Sequence, residues 1–121
     1  MKNILILLLL PILSIGQIIN TFPWTNDFEN GVALEQDTAD FADWYLMQGP
    51  TGSVNTGPNG DHTTGSGMYF YVESSNPNFP NKVFIVYTPR FDVSQTPGKV
   101  LSFWYHMYGA AMGDLEVGVL D

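Results

Sequence analysis

Leu101-Ser102-Phe103-Trp104-Tyr105-His106-Met107-Tyr108 is the stretch that decides the fold class. Its period is two: Leu101, Phe103, Tyr105 and Met107 fall on one side, and Ser102, Trp104, His106 and Tyr108 on the other. A run this rich in aromatic residues predicts a strand. The same reading applied outward finds more of them. Phe41 to Met47 predicts a strand around Trp44, and Met68-Tyr69-Phe70-Tyr71-Val72 a strong one. Val83-Phe84-Ile85-Val86-Tyr87 is apolar on both sides, as expected of a central sandwich strand. Leu115 to Leu120 starts another, with Leu115, Val117 and Val119 on one side. Helical periodicity is nearly absent after the first residues.

Turn-rich loops separate these segments. Gln48 to Gly67 contains six glycines and two prolines, Ser74 to Asn81 contains Asn76-Pro77-Asn78 and Pro80, and Gln95-Thr96-Pro97-Gly98 reads as a turn. Strands at this spacing predict an all-β jelly-roll sandwich of two antiparallel sheets. Trp44 and Phe103 are the expected core rings. The Gly-rich loop spans about 20 residues, long enough to be functional or pinned. Asp114 to Asp121 reads as a strand under way, so the sandwich is expected to be incomplete at the C-terminus.

The first residues follow another logic. Met1-Lys2-Asn3, an apolar run from Ile4 to Leu10 and small residues near Gly16 make a secretory signal peptide over 1–16, cut after Gly16. The run is shorter than the about 20 residues that span a bilayer. A secreted or cell-surface destination follows, with 17–26 as a short lead-in and 27–121 as the domain. There is no cysteine, so neither a disulfide nor a lipid-bearing cysteine is available. Beyond the signal, 3 basic residues face 12 acidic ones, a net charge near −9. That charge repels nucleic-acid phosphates and anionic membrane surfaces, and suits solubility and divalent cations.

Phe28-Glu29, Asp40-Phe41-Ala42-Asp43-Trp44, Thr56-Gly57-Pro58-Asn59-Gly60-Asp61-His62-Thr63, Gly67-Met68-Tyr69-Phe70-Tyr71-Val72, Tyr87-Thr88-Pro89, Leu101 to Gly109 and Gly113-Asp114-Leu115-Glu116-Val117 follow one another along the chain. In that order they resemble the MAM domain, an extracellular adhesion module, with Leu101 to Gly109 similar to the family's "FWYHM" strand. The resemblance covers Phe28 to Val117. It implies a jelly-roll sandwich and a role in adhesion or domain contact within a longer extracellular protein. The chain departs from the animal pattern in lacking paired cysteines and resembles a cysteine-free bacterial-type member, N-terminal portion only.

The chemistry-bearing residues have competing readings. Asp61, with Glu29 and the weaker candidate Asp27, suits a structural calcium or sodium ion, as the resemblance also implies; alternatively Asp61 caps its own turn. His62 and His106 lack the spacing of a zinc site and read as hydrogen-bonded side chains. No Gly-x-Ser-x-Gly elbow is present. Asp40, Asp43, Glu73 and Glu116 are the acids a glycosidase would have to pair. No residue is singled out as catalytic, and the chain reads as a non-enzyme. The expected function is a non-catalytic adhesion or protein-interaction module whose partner is a protein or glycan at the cell surface, or a neighbouring domain. The rival is a carbohydrate-binding jelly roll attached to a secreted hydrolase or protease. It requires Tyr71, Trp104 and Tyr105 to form an exposed stacking platform.

Overall fold

The computed structural model describes residues 16, 18–31 and 34–120. The predicted signal peptide and its cut site therefore lie almost wholly outside the described residues. Among the described residues all regular structure is strand: β1 (Ile18–Ile19), β2 (Glu35–Gln36), β3 (Tyr45–Gln48), β4 (Met68–Tyr71), β5 (Val86–Tyr87) and β6 (Arg90–Phe91). β3 and β4 pair antiparallel, as do β2 and β5, while β1 and β6 pair parallel. The chain is thus all-β, with antiparallel pairs consistent with a jelly-roll sandwich. Among the described residues no helix is long and apolar enough to cross a membrane.

The β3–β4 ribbon is the longest of the three pairs. Its register sets Tyr45 opposite Tyr71, Leu46 opposite Phe70, Met47 opposite Tyr69 and Gln48 opposite Met68. Alternation then separates two unlike faces. One carries Leu46, Phe70 and, two residues before Leu46, Trp44. On this side Phe28 stacks on Phe70 and Phe70 on Trp44, at centroid distances of 5.7 and 5.6 Å, each at 15°. Offset ring stacks of this kind add to simple area burial. The other face carries Tyr45, Met47, Tyr69 and Tyr71.

Side chains sew the β2–β5 pair to the ribbon. Gln36 brackets the entry to β3: its Nε2 donates to the Trp44 carbonyl at 2.7 Å, and its Oε1 accepts from the Trp44 amide at 3.1 Å. The indole Nε1 of Trp44 donates to the Phe84 carbonyl at 3.1 Å. Asp40 accepts the Ile85 amide, and Asp37 accepts the Tyr87 hydroxyl at 2.5 Å. That phenol, ahead of the backbone amides, holds the Asp37 carboxyl below its ordinary range. The β1–β6 pair is backed by Phe91, whose ring meets Trp24 edge-on at 5.2 Å.

Three expectations are corrected. Residues 101–108 and 115–120 carry no strand among the described residues. A strand is completed by a neighbour's N–H and C=O groups, and no described segment is in register with either run. Phe103 is 51% exposed rather than core. Third, only the end of the 83–87 run forms ladder, although Asp37 N donates to Ile85 O and Phe41 N to Val83 O. Trp44, the other expected core ring, is half-buried at one end of its stack, and no hydrophobic side chain among the described residues is fully buried.

Candidate functional site

The loop joining β3 to β4 folds back on itself around Asp61. Asp61 Oδ2 accepts the amides of Thr63 and Thr64, both at 2.9 Å. Oδ1 accepts the Thr64 hydroxyl at 2.6 Å and the amides of Ser66 and Gly67 at 3.0 and 2.7 Å. Donors surround both oxygens, so the Asp61 carboxyl stays ionised far below the usual carboxylate range, the Thr64 hydroxyl contributing most. Asp61 therefore caps its own turn.

Glu29 arrives at the same place from the opening segment. Asn26 Oδ1 accepts the Phe28 amide at 3.0 Å, and Asp27 Oδ1 accepts the Glu29 amide at 3.1 Å. Phe28 adopts φ 67°, a left-handed turn that reverses the chain. Its ring then anchors on Phe70, and Glu29 Oε1 accepts the Met68 amide at 2.6 Å at the start of β4. The two carboxylates close on Gly67, the one buried residue among those described. A Cβ there would collide with Glu29 Oε1 and sit 3.1 Å from Asp61 Oδ1. Two of the three predicted metal ligands are thus brought together, while Asp27 serves the Glu29 amide. Among the described residues no group of three or more His, Cys, Asp or Glu forms a metal cluster. A hard cation here would rest on Glu29 and Asp61, with its remaining ligands taken from backbone carbonyls or water.

The far side of this loop meets the 101–109 segment. His62 lies flat on Trp104, centroids 3.7 Å apart at 9°. His106 Nε2 sits 2.8 Å from the Thr56 carbonyl and, since a carbonyl only accepts, donates to it. A Cβ on Gly109 would touch Thr56 Cγ2 at 3.6 Å. The two histidines are each engaged separately, one by a ring and one by a backbone oxygen.

The remaining candidates disperse. Asp40 is held at Ile85. Glu73 accepts the Tyr71 hydroxyl at 2.5 Å, the Ser53 hydroxyl at 3.1 Å and both the amide and hydroxyl of Ser75. Asp43 and Glu116 are exposed. The rings required for a sugar platform each pack on a different neighbour: Trp104 on His62, Tyr105 on Phe103 at 54°, and Tyr71 edge-on to Tyr45 at 81°. The sequence reading missed the Glu73 network and the Gln36 bracket. Tyr69-x-Tyr71-x-Glu73 is the signal for the former, since period two puts all three on one face.

The model of the MAM domain (meprin/A5/mu) matches residues 26–121. The chain belongs to the MAM domain family. It is 42% identical over 90 residues to thyroid hormone-induced protein B of Xenopus laevis, covering 74% of this chain and 13% of that protein. It is 41% identical over 92 residues to MAM domain-containing protein 2 of Homo sapiens, covering 69% and 13%. Neuropilin-1a of Danio rerio is 33% identical over 96 residues, covering 79% and 10%. The chain therefore spans about an eighth of the length of the first relatives it matches. No solved structure matches it.

Proposed function

We propose that this chain is a non-catalytic extracellular MAM module that mediates adhesion or domain contact within a larger secreted or cell-surface protein. The observation that carries the reading is the family match over residues 26–121 together with the meeting of two of the segments that resemble the family. The Thr56–Thr63 loop and the 101–109 segment are held against each other by the His62–Trp104 stack and the His106–Thr56 bond. A loop fixed from both sides presents a defined surface to a partner, which a binding module needs and a flexible linker lacks. The dispersal of the acids and of the platform rings favours this reading over a hydrolase or a sugar-stacking module.

The module is a cysteine-free, bacterial-type member of its family, exported by removal of residues 1–16, with 27–121 as the domain. Glu29 and Asp61 are the pair at which a calcium or sodium ion would bind, neutralising two carboxylates that share one glycine. Beads coated with the full-length protein are expected to adhere to cells that produce it. An antibody against this module should block that adhesion, and sequencing of the secreted product should begin at Gln17. Retention of the protein inside cells, or adhesion indifferent to the antibody, overturns the reading.

A further inference from the structure

The hydroxyl-bearing face of the β3–β4 ribbon differs in kind from the stacked face behind it. Tyr45 and Tyr71 are cross-strand neighbours, and their rings meet at 5.2 Å and 81°. Tyr69 and Tyr71 meet at 6.4 Å and 80°. Rings at right angles wall a corner; they do not make the flat platform on which a sugar ring stacks. Glu73 stands at the closed end, two residues beyond Tyr71 on the same side.

The electrostatics of this corner are unusual. Among the described residues, every group that bonds the Glu73 carboxylate is neutral: the hydroxyls of Ser75, Tyr71 and Ser53, and the Ser75 amide. These donors hold its titration down at about 2, with the Ser75 hydroxyl contributing most. Glu73 is therefore a fixed anion held by neutral donors. The ring faces beside it carry negative quadrupole potential, which attracts a cation. Tyr45, at the open side, is 43% exposed.

We propose that Tyr45, Tyr69, Tyr71 and Glu73 form a docking corner for an arginine side chain of a protein partner. Charge complementarity selects a cation, and the chain's formal net charge of −8 favours its approach. Arginine fits better than lysine. A guanidinium is planar and weakly hydrated and stacks on aromatic faces, whereas an ammonium keeps its water. The neutral donors already occupy much of the carboxylate, so the cation is held by field and ring contact, which a delocalised charge tolerates. The site lies on the ribbon, uses neither Asp61 nor Glu29, and adds a partner chemistry to the interaction role proposed above.

Saturation-transfer NMR on the full-length protein with a blocked Gly-Arg-Gly peptide tests this without reference to cell adhesion. The arginine side-chain protons should receive saturation. Glu73→Gln and Tyr45→Ala should each weaken binding about three- to tenfold, the scale of an exposed cation–π or charge contact. Tyr45→Phe, which keeps the ring, and Asp43→Asn, an exposed acid outside the corner, should leave it unchanged. A blocked Gly-Lys-Gly peptide should bind more weakly. Equal binding of the lysine peptide, equal losses in Asp43→Asn and Glu73→Gln, or binding that survives Tyr45→Ala overturns the assignment. Should Glu73→Gln unfold the protein, the Tyr45→Ala and Tyr45→Phe pair on the exposed ring decides alone.

Discussion

The β3–β4 ribbon and the 101–108 segment are both aromatic and both alternate, yet only one of them is a paired strand. In the ribbon each residue has a partner in register, and the rings of Phe28, Phe70 and Trp44 close one face. In the second region Leu101 is 65% and Trp104 74% exposed, and the segment touches the rest mainly through His62 and Thr56. Alternation states which side chains share a face. Whether a ladder forms depends on a neighbour at about 4.8 Å that offers the complementary amides and carbonyls. The two regions should therefore respond very differently to the same substitution.

The largest contrast is expected between Trp44→Ala and Phe103→Ala. Trp44 supplies a ring stack and an indole bond to the Phe84 carbonyl, while the Gln36 bracket holds its backbone, which alanine keeps; loss of the ring should cost about 3 kcal/mol, the low end for a large aromatic because it is half-buried. Phe103→Ala should cost under about 1 kcal/mol, in line with an exposed position. Urea unfolding of the full-length protein compares them directly. Equal losses would erase the distinction between the regions.

Next in size is Gly67→Ala. The added methyl collides with Glu29 Oε1 and crowds Asp61, which already uses both oxygens on its own loop. A cost of about 1–3 kcal/mol is expected, as for overpacking elsewhere. Calcium should raise the melting temperature of the wild-type protein relative to chelator, through binding to the native state alone, and Gly67→Ala should abolish that rise. An unchanged melt in calcium would remove the cation proposal while leaving the turn cap intact.

How much of this was legible in the residues depends on the range of the interaction. The Met68 to Val72 run predicts β4 to within a residue, because alternation is local. The Phe41 to Met47 run starts its strand too early: Asp40 and Phe41 bond to Ile85 and Val83 outside a regular ladder. The Thr56–Thr63 loop was legible as a built turn, since Asp61 needs only donors a few residues away. The convergence of Glu29 on Gly67 was visible only through the family resemblance, because 39 residues separate Glu29 from Met68. The exposure of Phe103 was invisible, because periodicity does not say what covers a face.

Acid titration separates the ribbon from the rest more finely. Glu73 ionises normally near 4.5 and in the folded chain at about 2. A depressed carboxyl contributes stability above its ordinary value and loses it as pH falls through the folded value. The melting temperature should therefore fall between about pH 4.5 and 2, with Asp61 adding to the same limb in the same direction. Glu73→Gln should flatten that limb. An unchanged acid limb in Glu73→Gln would mean that the hydroxyls around Glu73 do not select its ionised form.

The smallest effect is expected where the two regions touch. His62→Ala removes the ring beneath Trp104 but no buried surface on the ribbon, so stability should change by under about 1 kcal/mol. The signal lies elsewhere. A stacked imidazole shields one indole face from water, and its removal should shift Trp104 emission to longer wavelength, with Trp104→Phe as the spectral control. His106→Ala should produce the same shift if the Thr56 bond and the stack act together as one clasp. A shift in His62→Ala alone would mean that the ring holds the segment without the backbone bond. Unchanged emission in both variants would place Trp104 away from the loop and remove the clasp from the interaction surface.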